Sequence, residues 1–192
     1  MNTSKPLRVI RVAGIAGSLR KASYNRSLLR AAQQVAPERL RIEIHELDAV
    51  PLFNEDVEAA GVPPGVAGLR QAIADADGLL IATPEYNHGV PGVMKNAIDW
   101  LSRPPRASVL SGKPAAILGA SPGMTGSARG QSQLRQAFVF TNTPAMLQPE
   151  ILVARAHEKF DDQGRLTDER TRQFLGQFLE RFVEWIDRLG KK

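Results

Sequence analysis

Three stretches of this sequence gather residues able to hold a ligand. The first is Gly17-Ser18-Leu19-Arg20-Lys21-Ala22-Ser23-Tyr24-Asn25, set between an apolar run and an amphipathic one. In a strand-to-helix turn the backbone N–H groups converge on an anion at the positive helix end. Ser18, Ser23 and Asn25 add neutral donors and Arg20 adds a charged fork, a set suited to a terminal phosphate monoester. The same residues also have a plain reading, in which Gly17 makes the turn and Ser23 or Asn25 caps the helix. The stretch lacks both G-x-G-x-x-G and the G-K-[ST] ending, so neither the dinucleotide fingerprint nor a Walker phosphate loop is present.

The second stretch, Thr83-Pro84-Glu85-Tyr86-Asn87-His88-Gly89-Val90-Pro91-Gly92, has two prolines and two glycines around four consecutive polar residues. Such a stiff path can press backbone amides and carbonyls against the edge of a flat ring. Glu85 reads either as a catalytic carboxylate or as a hydrogen-bonding brace of the loop, and His88 either as a proton donor or as a bystander. The third stretch, Ser121-Pro122-Gly123-Met124-Thr125-Gly126-Ser127, is small enough to let a ring approach its backbone. Arg129 and Arg135 follow it on a helix and are expected mainly at a solvated surface. His45 and His157 stand in unrelated contexts, so no metal site is expected.

The elements that must position these stretches follow from hydrophobic spacing. Strands are expected at 7–16, 39–47, 78–83, 114–120 and within 145–154, around Ile151, Leu152 and Val153. Helices are expected at 25–35, 68–76, 91–101, 128–140 and 168–189, with an irregular loop over 48–65. The runs GLLIAT and PAAILGA are continuously apolar, as strands covered on both faces must be. RLRIEIHEL alternates instead, which suits a sheet position with one face less buried. Alternating strands and helices imply an α/β domain: a doubly wound, flavodoxin-like parallel sheet of five strands in order 2-1-3-4-5, with helices on both faces. In such a sheet ligands bind beyond the carboxyl ends of the strands, where the three stretches lie. Met94, Ile98 and Trp100 read as core, as does the Phe/Trp stripe of the last helix.

Bulk properties bound the rest. A single domain over residues 1–192 is expected from the length, and 43% apolar residues suffice for its core. The absence of cysteine excludes disulfides, thiolate catalysis and iron–sulfur clusters. No run of apolar residues is long enough to span a bilayer, and the N-terminus reads as a strand entering a turn rather than a signal segment. A cytoplasmic protein without membrane attachment is the expectation. The formal charge of +5 is spread among 20 acids without a basic block, so no nucleic-acid partner is expected.

Taken together, GSLRKASYN, PEYNHGVPGVMKNAIDW and GASPGMTGSARGQSQLRQ resemble the NADPH-dependent FMN reductase family, which includes bacterial quinone, chromate and azo-dye reductases. The likeness runs from about Val9 to Leu152, and the segment Pro84–Trp100 is its most specific part. The resemblance implies that Ser18, Arg20, Ser23 and Asn25 hold an FMN phosphate, with Gly17, Leu19 and Tyr24 completing that loop. It implies that Pro84, Glu85, Tyr86 and Asn87 line the ribityl chain and ring edge, with His88 nearby, and that Ser121 and Gly123 approach the pyrimidine side. It also implies NADPH or NADH as co-substrate, a small-molecule electron acceptor and a homodimer or homotetramer, with the Met94–Trp100 helix at a dimer contact. The sequence departs from the family pattern at Gly89, where Ser is commoner, and at Gly126-Ser127, where paired glycines are commoner. A flavodoxin-like electron carrier between proteins is the competing reading, although such carriers are usually acidic. A third reading is a scaffold that keeps the fold without turnover.

Overall fold

The computed structural model describes residues 8–190. Five strands, β1 (Ile10–Ala16), β2 (Leu40–His45), β3 (Gly78–Ala82), β4 (Ala115–Ala120) and β5 (Ile151–Val153), form one sheet in the order β2-β1-β3-β4-β5. Every pairing is parallel. The expected topology is therefore the one observed. Leu7, where the sequence reading begins the first strand, lies outside the described residues.

Six helices flank the sheet: α1 (Tyr24–Gln34), α2 (Glu55–Ala60), α3 (Pro64–Asp75), α4 (Gly92–Leu101), α5 (Ala128–Thr141) and α6 (Glu169–Gly190). Because side chains alternate along a strand, the strands feed two separate apolar layers. Val12, Leu80, Leu118 and Ile151 meet Leu28, Leu29, Phe178 and Phe182 of α1 and α6. Ala13, Ile15, Leu79, Ile81 and Ile117 meet Ile73, Met94, Trp100 and Phe138 of α3, α4 and α5. β3 and β4 are buried at every position, whereas edge strand β2 exposes Arg41 and Glu43 between buried Leu40 and Ile42. The continuous and alternating runs in the sequence thus correspond to centre and edge.

Three departures have physical causes. The expected loop over 48–65 contains α2, which is capped by Asn54 and buries no side chain, so it carries no apolar period to detect. α3 starts at Pro64 rather than Gly68, with proline in its first turn where the missing N–H is harmless. The last strand is confined to Ile151–Val153; upstream, Ala145 makes only a single bridge to Ala115.

The first and last described segments meet at the amino end of the sheet. Arg8, Ile10 and Asp77 face Ile186, Asp187, Leu189 and Gly190 across one groove. Arg39 at the start of β2 also holds Asp187 through two hydrogen bonds of 2.9 and 3.0 Å.

Candidate active site

At the carboxyl edge, the segments after β1, β3 and β4 come together as loops 1, 2 and 3 (residues 17–23, 83–91 and 121–127). Loop 1 is pressed onto loop 2. The Gly17 N–H donates to the Ala82 carbonyl at 2.9 Å, and a Cβ on Gly17 would stand 3.1 Å from Met94 Cβ and 3.2 Å from Pro84 Cδ. The Tyr86 hydroxyl donates to the buried Ser18 Oγ at 3.3 Å, tying the loops across the cleft.

Ser23 is the N-cap of α1, where its Oγ accepts the Arg26 N–H. The N–H groups of Tyr24 and Asn25, in the first turn, have no intrahelical partner by construction. Tyr24 is half-buried and Asn25 buried, while Arg20 and Lys21 are exposed. The Arg20 guanidinium lies 5.6 Å from the Tyr24 ring centroid. Asn25 is placed differently from the phosphate donor expected of it. Its side chain is buried and takes both backbone groups of Ala120, accepting from N–H at 3.0 Å and donating to C=O at 2.9 Å.

Loop 2 folds on itself as a two-residue hairpin. Tyr86 and Gly89 exchange both backbone hydrogen bonds, at 3.1 and 3.0 Å. Asn87 and His88 between them are left-handed, with φ of 51° and 62°, the geometry of a type I′ turn. Both project into solvent, whereas Pro84 is buried. At Gly89 a Cβ would stand 2.7 Å from Gln133 Oε1, the side-chain atom that accepts the Val90 N–H at 2.6 Å.

The Glu85 side chain is only 8% exposed and turns toward the start of α5. Its carboxylate accepts the Arg129 N–H at 2.8 Å and the Gly130 N–H at 3.2 Å, capping α5 from outside the helix. The Arg129 guanidinium adds a contact at 3.3 Å. Burial pushes the Glu85 carboxyl up, but the N–H bonds from Gly130 and Arg129, with the Arg129 side chain and its charge, outweigh it and hold the group below the usual carboxylate range. Of its two sequence readings, the structure favours the brace.

In loop 3 the Ser121 Oγ accepts the Gly123 N–H at 3.1 Å. Gly126 and Ser127 are both left-handed, with φ of 56° and 76°. Glycine is required at 126, where a Cβ would stand 2.4 Å from the Leu152 carbonyl carbon. Ser127 is fully buried in a conformation that disfavours a side chain. Its Oγ accepts from Gln131 Nε2 at 3.3 Å, and the same amide donates to the Ile151 carbonyl at 2.9 Å.

A fourth segment joins this edge without having been anticipated. After β5, Arg155 donates its N–H to the Gly123 carbonyl and Ala156 to the Ser121 carbonyl, both at 3.0 Å. The Arg155 Nε lies 3.2 Å from the exposed Met124 Sδ. The segment follows a three-residue strand and has no glycine or proline of its own, so nothing in the sequence marked it. Arg135 is also less exposed than expected: its guanidinium donates to the Met146 carbonyl at 3.0 Å, and burial pulls its pKa down against the nearby Glu150. The Met94, Ile98 and Trp100 side chains are core, at most 2% exposed. Among the described residues, no three potential metal ligands come together.

Three loops meeting at the carboxyl edge of a parallel sheet in the order β2-β1-β3-β4-β5 place the chain among the flavodoxin-like α/β proteins, which bind ligands at that edge. The profile of the NADPH-dependent FMN reductases matches residues 10–158, and the chain belongs to that family. It is 49% identical to an NAD(P)H-dependent FMN reductase of Pseudomonas aeruginosa, over 94% of this chain and 97% of the relative. A quinone reductase of Pseudomonas putida is 44% identical over 93% and 96% of the two chains. Among solved structures, the flavoenzyme NAD(P)H:(acceptor) oxidoreductase FerB from Paracoccus denitrificans superposes with a TM-score of 0.86 at 39% identity, covering 94% of this chain and 98% of that one.

Proposed function

We propose that the protein is an FMN-dependent NAD(P)H oxidoreductase that passes two electrons to a quinone or a similarly reducible nitro compound, azo compound or oxidised metal ion. The observation that carries this reading is the pairing, on one sheet edge, of open N–H groups at the start of α1 with the stiff loops 2 and 3. Ser18, Ser23, Arg20 and the first N–H groups of α1 would hold the phosphate. Pro84, Tyr86 and Asn87 on one side, and Ser121 and Gly123 on the other, would border the ring. Asn25 and Glu85 serve by positioning β4 and α5. When bound, FMN supplies the redox chemistry, accepting hydride from NAD(P)H and releasing the electron pair to the acceptor. For a quinone the balance is NAD(P)H, a proton and quinone giving NAD(P)+ and hydroquinone.

Leu19, Tyr86 and Met124, one on each of loops 1, 2 and 3, are exposed apolar side chains. Ping-pong turnover belongs to this reading, with reductant and acceptor using the same flavin face in turn. The reading includes a homodimer or homotetramer: Val139 and Phe140 at the end of α5 are 84% and 90% exposed, an apolar pair suited to a second copy. It also places the protein in the cytoplasm, and no helix among the described residues is long and apolar enough to cross a membrane.

Steady-state kinetics of the FMN-loaded protein test the proposal. Parallel double-reciprocal lines with NAD(P)H and a benzoquinone are expected. Failure of NAD(P)H to bleach the flavin anaerobically would instead favour the electron-carrier reading.

A further inference from the structure

Several helices begin at the carboxyl edge, and their ends are treated differently. α1 is capped by its own Ser23, while α3 and α4 start behind prolines without a side-chain cap. α5 begins at the left-handed Ser127, which makes no capping bond. Its cap comes from a different loop, through the carboxylate of Glu85. The first turn of α5 rests on the same loop. A Cβ on Gly130 would stand 3.1 Å from the Pro84 carbonyl oxygen, 3.3 Å from that of Gly89 and 3.5 Å from Glu85 Cα.

We propose that Glu85 is a positioning residue whose negative charge sets the reduction potential of the flavin, by cancelling the positive field of the α5 terminus and Arg129 between loops 2 and 3. A helix N-terminus carries roughly half a positive charge, and Arg129 adds a full one. Reduction places negative charge on the flavin ring, so an uncancelled positive field beside loops 2 and 3 would favour the reduced form and slow release of its electrons. One buried carboxylate, hydrogen-bonded to two helix N–H groups and a guanidinium, removes most of that field. The Glu85 side chain is 8% exposed, so its charge is screened less than that of Arg129, whose side chain is 52% exposed. The phosphate is left to the α1 terminus, which has no carboxylate cap.

This inference rests on the proposed FMN site, and its test separates the two. Spectroelectrochemical potentials are measured for the FMN-loaded wild type, Glu85→Gln, Glu85→Asp and Arg129→Gln. Removing the negative charge in Glu85→Gln raises the potential by about 30 mV or more, a tenfold shift of a two-electron equilibrium. Removing the positive charge in Arg129→Gln lowers it, and Glu85→Asp stays near the wild type. A purely structural brace would move Glu85→Gln and Arg129→Gln in the same direction, or not at all, and either result overturns the inference. If Glu85→Gln does not fold, Arg129→Gln decides alone, because an unchanged or raised potential there is enough to reject the charge argument. A wild-type protein that holds no FMN would defeat the functional reading itself.

Discussion

The Asn25 side chain closes both backbone groups of Ala120, so one residue in the first turn of α1 fixes the end of β4. The contact crosses 95 positions of sequence and is buried. It fixes the distance between the strand end that launches loop 3 and the helix end that loop 1 leads into.

Replacing Asn25 by Ala leaves the N–H and C=O of Ala120 buried and unpaired. Each such group costs about 1–3 kcal/mol, so a loss of about 2–6 kcal/mol in unfolding free energy is expected from urea titration. A variant within 0.5 kcal/mol (roughly the scatter for neutral surface changes) would mean that water replaces the side chain without penalty.

Gly119 faces a tighter constraint. A Cβ there would stand 1.9 Å from Ser127 Oγ and 2.5 Å from the Thr83 carbonyl oxygen. Gly119→Ala must therefore displace the start of α5 or the end of β3. A fall in melting temperature together with weaker FMN retention is expected, and a well-folded variant with wild-type retention would contradict it.

The loop 1 assignment is testable by affinity. Arg20→Gln should weaken FMN binding about tenfold, equivalent to about 1.4 kcal/mol, and flatten the salt dependence of binding. Ser18→Ala should weaken it less. Fluorescence titration of FMN reads both, and an unchanged affinity in Arg20→Gln removes that residue from the site.

Acid should loosen the junction of loops 2 and 3. The folded-state pKa of Glu85 is depressed, so its contribution is complete above the usual carboxylate range and is lost as pH falls through the folded value. Asp161 and Asp168 are depressed as well, the first chiefly by the Arg165 N–H and the second chiefly by the Thr171 hydroxyl. Both remain in Glu85→Gln, so the wild-type-minus-variant difference isolates Glu85. That difference in melting temperature is expected to shrink between pH 7 and pH 3 (about the span over which a carboxylate titrates), and a constant difference counts against an ionised cap.

The exposed pair at the end of α5 predicts assembly. Light scattering after gel filtration should give a multiple of the chain mass for the wild type. The double change Val139→Asp and Phe140→Asp should lower it. A monomeric wild type would refute the homo-oligomer.

The sheet was legible because its signals are local and redundant. GLLIAT and PAAILGA could only be strands covered on both sides, and each was followed by a loop rich in glycine and proline. The loops assigned to FMN were placed by the same rule of strand ends. What the sequence concealed were long-range partners. Asn25 reads as an anion donor from its neighbours, and only the closeness of β4 gives it Ala120. Glu85 sits among ring-lining residues, yet its partners lie 44 and 45 positions away. α2 escaped because a helix that buries nothing has no pattern to read.

The groove shared by Ile10 and Gly190 has a consequence for connectivity. The two described ends of the fold lie side by side at the amino end of the sheet, away from the loops assigned to FMN. A short linker could join them, and the chain could be reopened at α2, whose helix buries no side chain. Such a circular permutant would keep every strand neighbour of the parent while reordering the sequence that builds it.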